Sequence, residues 1–218
     1  TSTNWSGYAV TAAAGAVTVV SGEWTVPTVT GTGAGTTYSS VWVGIDGYNS
    51  TSVEQTGIEA DVVNGVARYY AWYEMYPNAS VRVNLPVHAG DTITASVTYS
   101  AATGLFTMSL KDLSDPAGSN SFSISRSGPA LQRSSAEWVV EAPSSNTGVL
   151  PLANFGSVTF TNASATIGAA TGPINGSAWA GSATAINMVS ASGKLEASTS
   201  ALNATGTGFT VTNAAAVP

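Results

Sequence analysis

The sequence predicts an all-β fold, a β-sandwich or jelly roll built from many short strands. Apolar and polar residues alternate with a period of two in eleven segments, which is the pattern of half-buried strands. Glycine- or asparagine-containing turns separate these segments. No stretch longer than a few residues shows the 3.6-residue period of an amphipathic helix. Many short strands joined by turns are typical of a sandwich or jelly roll.

The predicted strands follow one another along the whole chain. In order, they cover residues 16–26, 39–45, 66–76, 80–85, 91–100, 105–112, 121–126, 136–142, 157–166, 185–190 and 208–213. Val, Ile, Thr and aromatic residues favour strands and supply most of their alternating positions. Turns such as "VNG", "HAGD" and "PAGSN" punctuate them. No linker or repeat divides the chain, so we expect one domain over residues 1–218.

The charge is sparse and acidic. The chain has 12 acidic and 6 basic residues, a net charge of -6, and only 8% charged residues, against about 25% in typical domains. The acidic balance and the lack of a basic stripe argue against a nucleic-acid partner. Full protonation of the carboxylates would leave few positive charges to repel one another, so the composition suits acid.

Several site types are excluded by composition. The chain has no cysteine, which removes disulfides, thiol nucleophiles and Cys-ligated zinc. Its single histidine, His88, lies in the turn-like "LPVHAGD" and cannot build a multi-His zinc site. A Ser–His triad is also disfavoured by that setting. No apolar run reaches the ~20 residues of a membrane span, so we expect no membrane partner.

Carboxylates and amides therefore remain as the candidate catalytic groups. A pair of carboxylates can hydrolyse a glycoside. A carboxyl group and an amide can hydrolyse a peptide, because the carboxylate activates water while the amide N–H stabilises the oxyanion. The residue types alone leave both chemistries open.

The segment "SAEWVVEAP" places two of the twelve acids four residues apart on a strand. Alternation puts Glu137 and Glu141 on one face and Trp138 on the other. The same treatment of three other segments predicts one surface that carries five acids with one base, Arg68, namely Asp46, Glu59, Glu74, Glu137 and Glu141. Like charges and aromatic walls on such a surface would raise the carboxyl pKa values.

Six motifs occur in a fixed order: "NWSGY", "VWVGIDG", "EQTGIE", "AWYEMYP", "SAEWVVE" and "FGSVTFTNA". In this order they resemble the eqolisins, the glutamic peptidase family. The resemblance runs from about Asn4 to the last strands. Its two specific motifs are the glutamine of Q-T-G and the glutamate of A-E-W, which correspond to Gln55 and Glu137.

The resemblance implies a two-sheet antiparallel β-sandwich, jelly-roll-like, with the active site on the concave face of one sheet. It implies a secreted, extracellular, pepstatin-insensitive acid endopeptidase that acts on protein or peptide substrates as a monomer, without metal or cofactor. Gln55 and Glu137 would be its catalytic dyad. Six residues match positions that line the family's cleft or support the dyad: Trp5, Trp42, Asp46, Glu59, Glu74 and Tyr76. Glu141 joins them by alternation. The N-terminal "TSTNWSG" lacks a signal peptide's features, so we expect a mature form whose leader and propeptide have been removed.

Two features depart from the family pattern. The fungal members carry disulfides, and Glu54 stands where an apolar residue usually precedes the glutamine. Alternation makes Glu54 face away from the cleft, into the protein. Two other functions remain as alternatives: a jelly-roll glycoside hydrolase using Glu137 with Glu141 or Glu74, and a carbohydrate-binding or adhesin sandwich. Gln55 discriminates among them, because a glycosidase has no dyad role for a glutamine and a lectin needs no general base.

Overall fold

The computed structural model describes residues 1–31, 34–128 and 132–216, and these residues form an almost entirely β structure. The strands are β1 (Trp5–Thr11), β2 (Val17–Thr25), β3 (Thr36–Thr37), β4 (Ser40–Ile45), β5 (Val53–Val63), β6 (Val66–Tyr76), β7 (Val81–Val83), β8 (Thr92–Ser100), β9 (Leu105–Asp112), β10 (Ser121–Arg126), β11 (Ser135–Glu141), β12 (Ser144–Ser145), β13 (Gly148–Val149), β14 (Ser157–Ile167), β15 (Ala170–Gly172), β16 (Ala183–Ile186), β17 (Met188–Val189), β18 (Leu195–Thr199) and β19 (Phe209–Asn213). Within the described ranges, the helical pieces are two three-residue 3-10 turns, Ser177–Trp179 and Ala214–Ala216. The predicted all-β class is confirmed.

Two large antiparallel sheets form the sandwich. The first has the order β16-β1-β11-β4-β5-β6-β7, with β3 also paired to β5. The second has the order β10-β9-β8-β2-β14-β19-β18-β17, with β15 paired to β14. A small hairpin of β12 and β13 lies outside both. The first sheet brings the four acid-bearing segments of the sequence together as the neighbouring strands β11, β4, β5 and β6.

Every predicted strand segment contains a strand, although residues 185–190 divide between β16 and β17. Among the longer strands, the eleven segments did not include β1, β5 or β18, although alternation was applied to "VEQTGIE" of β5 to assign its faces. The short strands β3, β12, β13 and β15 were also not predicted. The five central residues of β1 are all buried, because the strand lies between β11 and β16 and is covered on both faces. A strand buried on both faces has no clean alternation. The short segment "LEAST" of β18 is too polar to stand out.

A tight hairpin joins β5 to β6. Its turn residues, Asn64 and Gly65, have φ values of 50° and 77°, as a type I′ turn requires. This confirms the turn predicted at "VNG". The pairing continues without a shift along eleven residue pairs, from Val63 opposite Val66 to Val53 opposite Tyr76. The turn thereby sets the register that places Gln55 opposite Glu74.

The core lies between the two sheets. Its largest fully buried side chains include Trp24, Trp138, Phe106 and Phe160. The Trp138 indole N–H donates to the Ser21 carbonyl at 2.7 Å, so β11 of the first sheet is tied to β2 of the second. Trp138 therefore lies on the core face of β11, the face that alternation predicted to be opposite Glu137 and Glu141. The other face of the first sheet is free to carry a cleft.

Two further features are the setting of His88 and the lack of a membrane-spanning helix in the described ranges. His88 is exposed, and its backbone N–H donates to the Asp91 carboxylate at 2.6 Å, as expected of a solvated turn. Within the three described ranges, no helix has the length and apolar character of a membrane span.

Candidate active site

Four residues lie side by side across the first sheet. Glu137 of β11 pairs with Gly44 of β4, Gly44 pairs with Gln55 of β5, and Gln55 pairs with Glu74 of β6. Directly opposed residues of a sheet project to the same face. Gln55 and Glu137 therefore stand on the same face, two strand spacings or about 9–10 Å apart at their backbones.

Gly44 leaves room for its neighbours to pack closely between these two side chains. A Cβ atom at this position would lie 2.9 Å from the Trp42 ring and 3.2 Å from the Gln55 Cβ. A side chain would thus collide with the indole and press against the glutamine. The glycine therefore allows the Trp42 ring and the Gln55 side chain to adopt their observed positions.

A cavity of about 700 Å³ opens on this face. Its wall contains Gln55 together with three of the predicted acids, and aromatic rings from two strands and one loop. The predicted site residues in the wall are Trp5, Gln55, Glu59, Glu74, Tyr76 and Glu141. The wall combines hydrogen-bonding groups with aromatic surfaces, which is the make-up of a site for a polar chain with apolar side chains.

The Gln55 amide is held on one side and free on the other. Its Nε2 donates to the Glu74 carboxylate. Its Oε1 is buried and has no hydrogen-bond partner among the described residues. Burial raises the pKa of Glu74, and the bond from Gln55 opposes that rise. The amide is therefore oriented by Glu74 while one N–H and the carbonyl oxygen remain for a ligand.

Glu137 is fully buried, with 0% of its surface exposed. Neither carboxyl oxygen has a hydrogen-bond partner within the described part of the chain. Burial raises the pKa of Glu137 well above its ordinary value, and the nearby Asp46 and Glu54 charges act in the same direction. The Ser135 hydroxyl and the Tyr48 backbone lie near the carboxyl group and oppose the rise, although neither has the geometry of a hydrogen bond to it. Glu137 is thus neutral in acid when the site is closed.

The cavity reaches Gln55 but stops short of Glu137. The wall residues found among the described ranges include Gly47, Tyr48, Ser50 and Thr51 but not Glu137. The Tyr48 backbone lies beside the Glu137 carboxyl group. Residues 47–52, which connect β4 to β5, therefore cover Glu137 and separate it from the opening.

Glu141 has a different environment from Glu137. The Trp42 indole N–H donates to its Oε2 at 2.8 Å, and the Asn4 side-chain amide donates to its Oε1 at 3.0 Å. Burial raises the pKa of Glu141 to about 7, although these bonds favour the ionised form. Trp42 itself is buried, and its ring meets Trp5 edge to face at 4.9 Å. Both oxygens of Glu141 are therefore occupied.

Asp46 does not share the face predicted for it. Strand β4 ends at Ile45, and Asp46 has a φ of 71°, so the alternation stops one residue earlier. Its carboxylate accepts backbone N–H bonds from Arg133 at 2.6 Å and from Ser134 at 2.8 Å. Asp46 thus ties the loop before β11 to the end of β4, where its charge acts on Glu137.

Glu54 faces the core, as alternation predicts. It pairs with Ile45 and Met75, and 0% of its surface is exposed. The ladder on both sides is regular, so β5 has no bulge at this point. Neither oxygen finds a hydrogen-bond partner in the described ranges. Burial, helped by the Asp46 charge, raises the pKa of Glu54 to about 9.

Glu59 and Asp61 form a second pair of carboxyl groups farther along β5. Only 7% and 6% of their surfaces are exposed. Burial and the neighbouring Asp61 raise the pKa of Glu59 to about 9, and burial raises that of Asp61 to about 6. Burial thus favours the protonated form of both carboxyl groups. The Ser40 hydroxyl favours the ionised form of Glu59 but does not outweigh the burial.

Sequence reasoning missed some wall residues. Trp72, Asn4, Ser40 and Tyr48 line the cavity but were not predicted as site residues. Trp72 shares the predicted face of β6 with Glu74, so the alternation contained a signal for it. The other three lie at strand ends or in loops, where alternation gives no direction.

Known proteins are similar to this chain in sequence. A sequence model of the Peptidase A4 family matches residues 3–212. Aspergillopepsin-2 of Aspergillus niger is 36% identical over 191 residues, which cover 78% of this chain and 66% of the relative. The chain thus spans slightly less than two thirds of that relative's length.

Solved structures agree with this match. Scytalido-glutamic peptidase, in a complex with a peptide-based transition-state analogue, has a TM-score of 0.79 and 26% identity over 97% of this chain and 98% of its own. Aspergilloglutamic peptidase from Aspergillus niger has a TM-score of 0.69 and 31% identity over 81% of this chain and 99% of its own.

Proposed function

Because this chain belongs to the Peptidase A4 family, the eqolisins, we propose that it is a glutamic endopeptidase acting in acid through Gln55 and Glu137. One observation carries the proposal. A glutamine and a glutamate flank a glycine on one face of the sheet, and each has a buried polar atom without a partner in the described residues. Such atoms cost free energy in a folded protein unless a ligand or water satisfies them.

The two side chains have different roles in the hydrolysis. Ionised Glu137 takes a proton from water as the water oxygen attacks the scissile carbonyl carbon. The free N–H of Gln55 donates to the oxyanion that forms, and the Gln55 carbonyl oxygen orients the water. Protonated Glu137 then gives its proton to the leaving nitrogen as the C–N bond breaks. Donation to the oxyanion is worth about 3–4 kcal/mol, and general acid–base catalysis about 100- to 10,000-fold.

Residues 47–52 control when Glu137 can act. In the closed arrangement its carboxyl group is buried and neutral. Displacement of this segment by a substrate would admit water and lower the pKa of Glu137 toward its ordinary value of about 4.3. The basic form then exists in acid, where a carboxylate is the suitable general base.

The setting of the enzyme is part of the same proposal. The chain acts as a secreted, extracellular monomer on protein or peptide substrates. The small number of basic residues, six, supports action in acid, because a charge-poor surface tolerates acid. The transition-state analogue in scytalido-glutamic peptidase is peptide-based, which supports a peptide substrate here.

Side-by-side assays test the proposal. The wild type, Gln55→Ala, Glu137→Gln and the control Glu196→Gln, on β18 of the second sheet, would be incubated at pH about 4 with a denatured protein and with a polysaccharide. We expect the wild type and control to cleave only the protein. The two dyad variants should be folded by near-UV circular dichroism but inactive. Near-normal turnover by folded Gln55→Ala, or cleavage of the polysaccharide alone, would refute the proposal.

A further inference from the structure

A second groove continues the cleft face away from the dyad. It has a volume of about 600 Å³ and lies over the hairpin end of β5 and β6 and the start of β7. Its polar wall consists of Asp61, Arg68, Tyr70 and Arg82. Asp61 follows Glu59 on the same face of β5, and Tyr70 lies opposite Glu59 on β6. Glu59 lines the first cavity, so neighbouring residues on one face of the sheet line the two depressions.

Two of the six basic residues of the chain meet in this groove. Arg68 lies opposite Asp61, and Arg82 lies opposite Trp72. The Arg82 guanidinium stacks on the Tyr70 ring, 4.6 Å from its centre. Both arginines are exposed, and neither has a carboxylate within ion-pair distance among the described residues. Stacking fixes the plane of a guanidinium and leaves its edge N–H groups available to an anion.

The acidic neighbours of these arginines lose their charge in acid. Burial and the neighbouring Asp61 raise the pKa of Glu59, and burial raises that of Asp61 to about 6. The groups that face the pair are Tyr70, Arg68 and Arg82 from β6 and β7, Ser40 from β4, Glu141 from β11, and Tyr38. None of these adds a negative charge well below pH 6. The groove is then a positive patch on a chain whose other site groups are acidic.

We propose that this groove binds a carboxylate of the substrate peptide, from an acidic side chain or the free C-terminus. The proposal rests on the proposed peptidase function. From Gln55, Glu59 is four residues along β5 and Asp61 is six, or about 13 and 20 Å. An extended peptide rises by a similar amount per residue. The bound carboxylate therefore lies about four to six residues from the scissile bond.

Matched peptides test the groove directly. Each pair differs only by Glu or Gln at the fourth to sixth residue on one side of the cleaved bond, and each is made with a free and an amidated C-terminus. The assay pH is about 5, where a peptide Glu is mostly ionised and Asp61 is mostly protonated. We expect kcat/KM to favour the carboxylate-bearing peptide by about 3- to 10-fold, mainly through KM. The internal pair and the terminal pair identify which carboxylate is bound.

Arginine variants supply the decisive comparison. The ratio of kcat/KM for the carboxylate-bearing peptide to kcat/KM for its matched peptide should fall to about one in the double variant Arg68→Gln/Arg82→Gln. The Arg82→Lys variant should keep part of this preference. Arg126 is a matched control, because it stacks on Tyr73. Tyr73 is on β6, as Tyr70 is, but projects from the opposite face of the sheet. Arg126→Gln should keep the full ratio. The proposal would be overturned if the wild type had no preference for carboxylate-bearing peptides, or if the folded double variant retained that preference.

Direct binding separates this inference from the proposed activity. The Glu and Gln peptides would be titrated into Glu137→Gln by calorimetry, so that no turnover is needed. Tighter binding of the Glu peptide, lost in the triple variant that also carries both arginine changes, supports the groove even if no peptide is cleaved. Equal affinities overturn it even if the peptidase is active.

Discussion

Gln55 and Glu137 project from one face of one sheet on either side of Gly44, to which both are paired in register. Their relationship depends on the glycine as much as on the two functional groups. Gly44 allows the Trp42 ring and the Gln55 side chain to pack closely at this position. It is therefore the first place where a small change should affect the chemistry.

Gly44→Ala should impair turnover more than stability. The new Cβ would lie 2.9 Å from the Trp42 ring and 3.2 Å from the Gln55 Cβ, so the glutamine must shift. We expect kcat to fall by about 10- to 100-fold, because small displacements of catalytic groups are costly. Overpacking should lower the free energy of unfolding by about 1–3 kcal/mol.

Gly65→Ala is the control for this change. Gly65 has a φ of 77° and nothing within 4 Å of the added Cβ, so the substitution should cost about 1 kcal/mol of stability without changing kcat. Steady-state kinetics and urea unfolding of both variants decide the matter. A Gly44→Ala enzyme with unchanged kcat would show that catalysis does not depend on close packing of Gln55 at Gly44.

Much of this site could be predicted from the sequence, because alternation is a local property of a regular strand. The opposite directions of Glu54 and Gln55 followed from it, and so did the common face of Glu59 and Glu74. Asp46 escaped because a positive φ ends the strand one residue before it. The complete burial of Glu137 depends on residues 47–52 folding over it, and no periodic pattern encodes where a loop rests.

The two glutamates of β11 should differ sharply when each is changed to glutamine. Glu137→Gln cannot exchange a proton, so kcat should fall by at least about 100-fold. Glu141 has a pKa of about 7, so it is already neutral at pH 4, where glutamine matches its charge but keeps only one of its two acceptor oxygens. We expect Glu141→Gln to lose less than tenfold at pH about 4.

Complete pH–rate profiles on one peptide check this difference. Any effect of Glu141→Gln should grow as pH rises toward 7, where the wild-type carboxyl group ionises. An inactive Glu141→Gln beside an active Glu137→Gln would reverse the assignment. Two inactive variants would instead favour a paired-carboxylate mechanism.

Glu74 should act as a positioning residue for the Gln55 amide. Its carboxylate accepts the Nε2 hydrogen bond, so Glu74→Leu would free the amide to rotate. We expect kcat to fall by about 10- to 100-fold with little change in KM, since the lost orientation matters most in the transition state. Glu74→Gln retains an acceptor oxygen and should restore most of kcat. If the glutamine variant is as impaired as the leucine variant, the charge of Glu74 matters rather than its hydrogen bond.

Glu54 should make the fold less stable as pH rises. Its pKa is about 9 in the folded protein and about 4.3 in an unfolded chain. Between these values the folded state holds a proton that the unfolded state has released. The free energy of unfolding therefore falls with rising pH across this window, and the stabilising contribution is fully present only below about pH 4.3.

Glu54→Leu removes this ionisation and fits the apolar contacts with Ile45 and Met75. We expect it to raise the free energy of unfolding by a few kcal/mol more at pH 8 than at pH 3, because each pKa unit corresponds to about 1.4 kcal/mol. Urea unfolding at both pH values, followed by near-UV circular dichroism, gives the comparison. The wild type should keep its near-UV spectrum at pH 3 because it has few bases to repel one another. An equal gain at both pH values would mean that Glu54 ionises as readily in the folded chain as in the unfolded one, so that its pKa is not raised by burial. A wild type that becomes steadily more stable from pH 3 to pH 8 would contradict the burial of its acids as the source of its pH dependence.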